Sequence, residues 1–212
     1  ALAYAAYFRE YYAKGDHAEA LEAINIRGTL ELMGEADRRG VRHFIQISSS
    51  GAVGNNADGT PGTEDTPPSD TQLRNLYFRS KYEGDAKIRE FRSRHGMSLS
   101  QVLPGWMWGP GDAGPTGAGQ LALDFLAGNV PGVPKGAVNV VDARDVAQAI
   151  VTLVGHEPAL GGEHGPERYI VAGEQYRLHQ LLTIAAELRD RRPPMQLPAW
   201  FALAYAHAQG VV

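Results

Sequence analysis

Tyr77 and Lys81 stand four residues apart in Tyr77-Phe78-Arg79-Ser80-Lys81, and three consecutive serines, Ser48-Ser49-Ser50, precede them. On a helix, residues four apart lie one above the other on a single face. A free tyrosine titrates near ~10 and is a poor acid or base at neutral pH. A cation within reach favours the phenolate and lowers that value, which makes the phenol a usable proton donor or acceptor. A serine hydroxyl nearby can hold the carbonyl or alcohol oxygen whose proton moves. Tyr and Lys at this spacing occur by chance on many helices, so the pair acquires meaning from the elements that position it.

Strand and helix patterns alternate along the chain, which predicts a parallel α/β sheet. His17 to Arg38 carries apolar positions at Leu21, Ile24, Leu30, Leu32 and Met33, a long helix expected to end at Gly40. A strand is expected over Val41–Ile47, running into the serines. Gly51 to Gln72 reads as a long polar loop, with Gly51, Gly54, Gly59 and Gly62 set among Asn, Asp, Thr and Pro. A second helix, Leu76 to His95, is stopped by Gly96 and carries Tyr77 and Lys81. The next strand covers Ser98–Leu103. Two Gly/Pro clusters, 109–119 and 128–136, surround a short helix with Leu121, Leu123, Phe125 and Leu126. Val138–Val141 reads as a strand, and Asp142 or Asp145 as the cap of a helix reaching about Gly155. Arg168–Val171 is expected as a short strand and Leu178–Arg191 as an amphipathic helix.

Four segments recur in order: Asn25-Ile26-Arg27-Gly28-Thr29, Ile47-Ser48-Ser49-Ser50, Tyr77-x-x-Ser80-Lys81, and Leu103-Pro104-Gly105-Trp106-Met107-Trp108-Gly109-Pro110-Gly111. Together they resemble the extended short-chain dehydrogenase/reductase family, in its NAD-dependent epimerase/dehydratase and dihydroflavonol-reductase-like branch. The resemblance runs from about Ala3 to about Leu197. It implies a Rossmann-like, doubly wound parallel sheet with a small C-terminal substrate-capping lobe. Residues 1–108 would form the C-terminal part of the dinucleotide-binding domain. Residues 109–212 would be mainly the capping lobe, with 138–155 returning to the core. Ala1 to Tyr7 resembles the family's fourth strand and the loop after it. The glycine-rich turn and helix that open such a domain are expected upstream of Ala1, because without them a sheet edge stays open. A piece beginning at Ala1 is therefore expected to bind no dinucleotide measurably, since the pyrophosphate rests on that missing unit.

Carried onto this chain, the family pattern makes Tyr77 the proton donor to a substrate carbonyl and Ser50 the holder of its oxygen. Lys81 would bind the nicotinamide ribose hydroxyls and lower the Tyr77 pKa, and Asn25 would support a water in the proton relay. Ala5, Ser48, Ser49, Pro104, Gly105 and Met107 are implied at the cofactor with Tyr77 and Lys81. Tyr7, Trp106 and Trp108 are implied at the substrate with Ser50. The cofactor is NAD or NADP, the choice resting in the family on residues after its second strand. Nucleotide-sugar epimerases commonly carry an Arg-Asp-aromatic-hydrophobic-His-Val run in the region of Val138-Asn139-Val140-Val141, and this departure favours a small carbonyl substrate. The expected activity is an NAD(P)-dependent oxidoreductase acting on a carbonyl or alcohol of a small organic molecule. The alternatives are an NAD-dependent sugar epimerase or dehydratase and a non-catalytic dinucleotide-binding regulatory protein. The intact Ser/Tyr/Lys set argues against the last.

Composition bounds the rest. The 212 residues are enough for a core, and 43% hydrophobic with 21% charged content is ordinary for a globular protein. A net charge of −4 provides no basic footprint for nucleic acid. The absence of cysteine excludes disulfides and thiolate metal sites. The seven histidines are scattered, and His156-Glu157 lacks a following His at metal spacing, so no metal is expected. No apolar run reaches the ~18 residues of a membrane span, and the expected compartment is the cytoplasm. Pro198 to Ala208 is apolar most of the way round. It reads as a buried or interface helix, compatible with a homodimer, and not as a membrane anchor.

Overall fold

The computed structural model describes residues 1–5, 17–93, 96–156, 167–198 and 200–201. Along the chain the elements are β1 (Leu2–Ala5), α1 (Ala18–Glu22), a π-helical turn (Ala23–Gly28), α2 (Thr29–Arg38), β2 (His43–Ile47), a 3₁₀ turn (Ser50–Ala52), α3 (Asp70–Leu73), α4 (Leu76–Ser93), β3 (Ser98–Pro104) and β4 (Trp106–Trp108). They continue with α5 (Gly117–Ala127), β5 (Gly132–Pro134), β6 (Ala137–Asp142), α6 (Ala143–Gly155), β7 (Glu167–Val171), β8 (Gln175–Arg177), α7 (Leu178–Glu187) and β9 (Met195–Leu197). The described residues of 1–105 and 144–172 form one compact unit, and those of 106–143 and 173–212 form another.

The first unit is a Rossmann-like α/β layer built on a parallel sheet in the order β1-β2-β3-β7. All seven residues of β3 are buried, as expected of a central parallel strand covered on both faces. Because side chains alternate along a strand, Phe44 and Gln46 of β2 share a face with Leu99 and Gln101 of β3, which the register sets beside them; Leu103 of β3 lies on the same face. That face is apolar at its amino end, where Phe44 and Leu99 meet Met33, Ala36, Ile88 and Met97. It turns polar at Gln46 and Gln101. Arg168 and Ile170 on β7 continue it, paired with Gln101 and Leu103.

The helix expected over 17–38 forms, but it contains the π-helical turn around Asn25. The buried positions Leu21, Asn25, Thr29 and Met33 are spaced by four. Four residues overshoot one α-helical turn, and a wider π turn absorbs the excess and keeps those side chains facing inward, with the turn itself against α4. The strand expected from Val41 begins at His43, because the Val41 N–H still donates to the Ala36 carbonyl that ends α2. α7 stops at Glu187, short of the expected Arg191. The Arg191 N–H turns back to Ala186 O, and Asp190 adopts a left-handed φ of 50°. The polar loop is less bare than expected, with the 3₁₀ turn at its start, a bridge between Asn55 and Pro61, and α3 under a Ser69–Gln72 capping box. Trp200 and Phe201 are exposed, and the remainder of the expected C-terminal helix lies outside the described residues.

The second unit holds a three-stranded sheet, β4-β6-β8, and a β5-β9 pair. Trp106–Trp108 is thus a strand, parallel to β6, and too short for its alternation to be read. Phe125, Val133, Leu182 and Ala186 form this unit's core, with Trp108, Val130 and Leu178 against it. Thr116 caps α5 at its start and Gly128, with φ +82°, ends it.

Candidate active site

Parallel strands present their carboxyl ends on one edge, where open α/β folds take ligands. β2 delivers the three serines there, and β3 delivers Pro104 and Gly105. The Gly105 N–H is tied to Val171 O at 3.0 Å, which fixes the strand end. Ala5 closes β1 beside Ile47 in the register. α4 starts at this same edge and runs back across the polar face of the sheet, with Tyr77 in its first turn, Lys81 one turn below and Asp85 one turn lower still.

The serines separate into different jobs. Ser49 caps the 3₁₀ turn, its hydroxyl accepting from Gly51 N at 3.1 Å. Ser48 points into the protein, where its buried hydroxyl lies beside the Asp85 carboxyl without completing a hydrogen bond of ordinary geometry. Ser50 opens the 3₁₀ turn and is half-buried. That turn rests on the start of α4: a Cβ placed on Gly51 would come 2.3 Å from the Phe78 ring. Only a glycine allows the serine turn to approach the tyrosine's helix this closely.

Tyr77 is half-buried and Lys81 is almost fully buried, with 4% of its surface accessible. The ammonium lies 5.7 Å from the centre of the Tyr77 ring. Burial lowers the Lys81 pKa from 10.5 to about 8, against the opposing pull of Asp85. Between them, Ser80 ties the helix to the π turn: Asn25 Nδ2 donates to Ser80 Oγ at 2.9 Å, and Ser80 Oγ donates to Tyr77 O at 2.8 Å. Asn25 Oδ1 is buried and accepts no hydrogen bond among the described residues. A π turn at such a residue is a common mark of functional sites.

Asp85 is the residue that the motif reading missed. It is completely buried, accepts from Gln46 Nε2 at 3.0 Å on one oxygen, and pairs with Arg168 Nη2 at 3.2 Å on the other. Burial pushes its carboxyl pKa upward, while Ser48, Arg168, Lys81 and Arg89 oppose that shift. The signal available in the sequence was the spacing, since Asp85 follows Lys81 by the same four residues that separate Lys81 from Tyr77.

Ser50, Tyr77, Lys81, Asn25, Ala5, Ser48, Ser49, Pro104 and Gly105 therefore fall in the first unit. Trp106, Met107 and Trp108 fall in the second, with the two indoles edge to face at 5.4 Å and Met107 exposed. Tyr7 lies outside the described residues. No group of three or more His, Asp or Glu side chains at metal-binding geometry occurs among the described residues, and none of their helices is long and apolar enough to cross a membrane.

Comparison with known proteins agrees with this architecture. The chain is 34% identical over 187 residues to sterol demethylase protein B of Methylococcus capsulatus, covering 87% of this chain and 54% of that protein. It is 28% identical over 195 residues to a putative dihydroflavonol 4-reductase of Synechocystis, covering 89% of this chain and 54% of that protein. The chain thus spans about half the length of the curated relatives it matches. The crystal structure of gox2253 superimposes with a TM-score of 0.79 at 28% identity, covering 99% of this chain and 64% of that one. The profile of the NAD dependent epimerase/dehydratase family matches residues 3–172, and with Tyr77, Lys81 and the serine turn on the expected sheet edge, the chain belongs to that family.

Proposed function

We propose that this protein is an NAD(P)-dependent oxidoreductase that interconverts a carbonyl and an alcohol on a small organic molecule. The observation that carries the reading is the half-buried Tyr77 phenol one helical turn above the buried Lys81 ammonium, at the carboxyl edge of a parallel sheet that also bears the Ser50 turn. The residues fit the nicotinamide end of a dinucleotide. Lys81 offers donors to ribose hydroxyls, the Pro104-Gly105 backbone ends a strand at the same edge, and the orphaned Asn25 Oδ1 is an acceptor waiting beneath the helix. A nicotinamide, when bound, supplies or accepts the hydride at the substrate carbon.

The chain's own part is proton chemistry. In the reducing direction Tyr77 gives its phenolic proton to the carbonyl oxygen, and Ser50 donates a hydrogen bond to the same oxygen. The Lys81 ammonium stabilises the phenolate that results. Asn25 and Ser80 hold the helix turn that presents Tyr77, and Asn25 Oδ1 provides an acceptor for the water that returns the proton.

Tyr77→Phe removes the transferable proton and little else. The expected result is a fall in kcat on the order of 10²–10⁴-fold with cofactor affinity preserved, measured by steady-state kinetics and by fluorescence titration. Near-normal kcat in Tyr77→Phe would overturn the assignment.

A further inference from the structure

We propose that Asp85 is a positioning residue of this site: it is the buried anion that keeps the Lys81 ammonium charged beneath Tyr77, and Arg168 tunes it from the other side. The inference rests on the Tyr77/Lys81 reading above and deepens it. Tyr77, Lys81 and Asp85 occupy successive turns of one face of α4, so the phenol, the ammonium and the carboxylate form a column descending into the sheet. The lower members of that column have almost no contact with water, Lys81 being 4% accessible and Asp85 0%. An ammonium so placed is costly unless paired, and it readily sheds its proton.

The carboxylate is held from two strands. Gln46 of β2 donates to one oxygen at 3.0 Å, and Arg168 of β7 reaches the other at 3.2 Å. Gln46 is itself fixed by Gln101 of β3, which also takes a hydrogen bond from Arg89 at 3.2 Å. Three polar side chains from sheet strands are thus spent on one carboxylate in a layer that elsewhere packs Phe44, Leu99 and Ile88. Such a network is expensive to bury and unnecessary for a helix that merely covers a sheet. Its function is to fix a negative charge one turn from Lys81.

The other charged or titratable groups bearing on the column are Arg89 below it on α4, and Tyr82 and Asp65, which act on Arg89. Arg168 also donates to the backbone oxygen of Glu64, so it is anchored independently of Asp85. Three cations, Lys81, Arg168 and Arg89, therefore bear on one anion. Loss of the anion and loss of the competing cation are expected to shift Lys81 in opposite directions.

The test uses the full chain and the pH dependence of alcohol oxidation, which needs the Tyr77 phenolate and the Lys81 ammonium together. The alkaline limb of that bell reports loss of the Lys81 proton. In Asp85→Asn the alkaline limb moves toward neutral pH by about one unit or more. In Arg168→Gln it moves the other way, because Asp85 then loses the cation that pairs with it directly in competition with Lys81, and Asp85→Glu restores the wild-type position. A second readout uses no cofactor. The Lys81 pKa is depressed on folding, to about 8 from an ordinary 10.5, so the unfolded chain binds more protons across that window and stability rises with pH there. Melting temperatures of the cofactor-free protein should show this rise beginning at lower pH in Asp85→Asn and absent in Lys81→Met.

Alkaline limbs that stay in place, or that move the same way in Asp85→Asn and Arg168→Gln, overturn the proposal. Should Asp85→Asn fail to fold, Arg168→Gln decides by itself: an upward shift supports the proposal and an unmoved limb sinks it. Normal turnover in Lys81→Met would remove the Tyr77/Lys81 reading beneath the proposal, an outcome distinct from failure of Asp85 alone.

Discussion

The ammonium of Lys81 stabilises a phenolate only while it remains an ammonium, and burial has brought its pKa down to about 8. Its influence on Tyr77 is therefore full at neutral pH and fades above about pH 8. Lys81→Met removes that influence at every pH, and the absence of the cation raises the Tyr77 pKa. The acidic limb of alcohol oxidation, set by deprotonation of Tyr77, is expected to move upward by roughly a unit or more. Weaker cofactor binding should accompany it, because the same ammonium is the proposed ribose donor. A pH–rate profile and a cofactor titration on one variant check both effects, and if neither changes, Lys81 has no role at the site. At this scale the placement of the side chains was legible. Tyr77, Lys81 and Ser80 belong to one helix, so their spacing alone places them. Asp85 obeys the same spacing, but its meaning depends on Gln46 and Arg168, which lie 39 and 83 residues away in sequence.

Elements had to be brought together for that helix face to matter, and one contact does this with little tolerance. The Ser50 turn rests on Phe78 with no room for a Cβ at Gly51, where the nearest ring atom would be 2.3 Å away. Gly51→Ala is expected to destabilise the fold by about 1–3 kcal/mol, the usual cost of overpacking, and to lower kcat through displacement of Ser50. Denaturant unfolding and steady-state kinetics measure the two effects. Trimming the ring in the double variant Gly51→Ala/Phe78→Leu should recover part of both losses, and no recovery would show that the strain lies elsewhere. Gly51 read as loop chemistry in the sequence, because nothing local reveals that a helix 27 residues on presses against it. The π turn was similarly hidden. Helical periodicity over 17–38 was clear, whereas the wider turn at Asn25 faces α4, where Asn25 meets Ser80.

For the molecule as a whole, the choice between net redox chemistry and epimerisation depends on whether the converted cofactor is released. With the full chain and a panel of small ketones and aldehydes, reduced nicotinamide is expected to be consumed in step with product, which absorbance records directly. Interconversion of sugar epimers with no net consumption would transfer the reading to the epimerase branch of the family. The sequence by itself determined the α/β class and the parallel sheet, and it set Tyr77 and Lys81 on one helix face and the serines at a strand end, because each of these depends on periodicity or spacing within one segment or on the order of segments. Only the tertiary structure decided that Ser48 turns inward while Ser50 opens a turn at the sheet edge, and that Asn25 meets Ser80. It alone joined Asp85 to Gln46 and Arg168. These pairings cross the sheet between segments tens of residues apart, where burial makes every polar group find a partner and no local pattern records which one it finds.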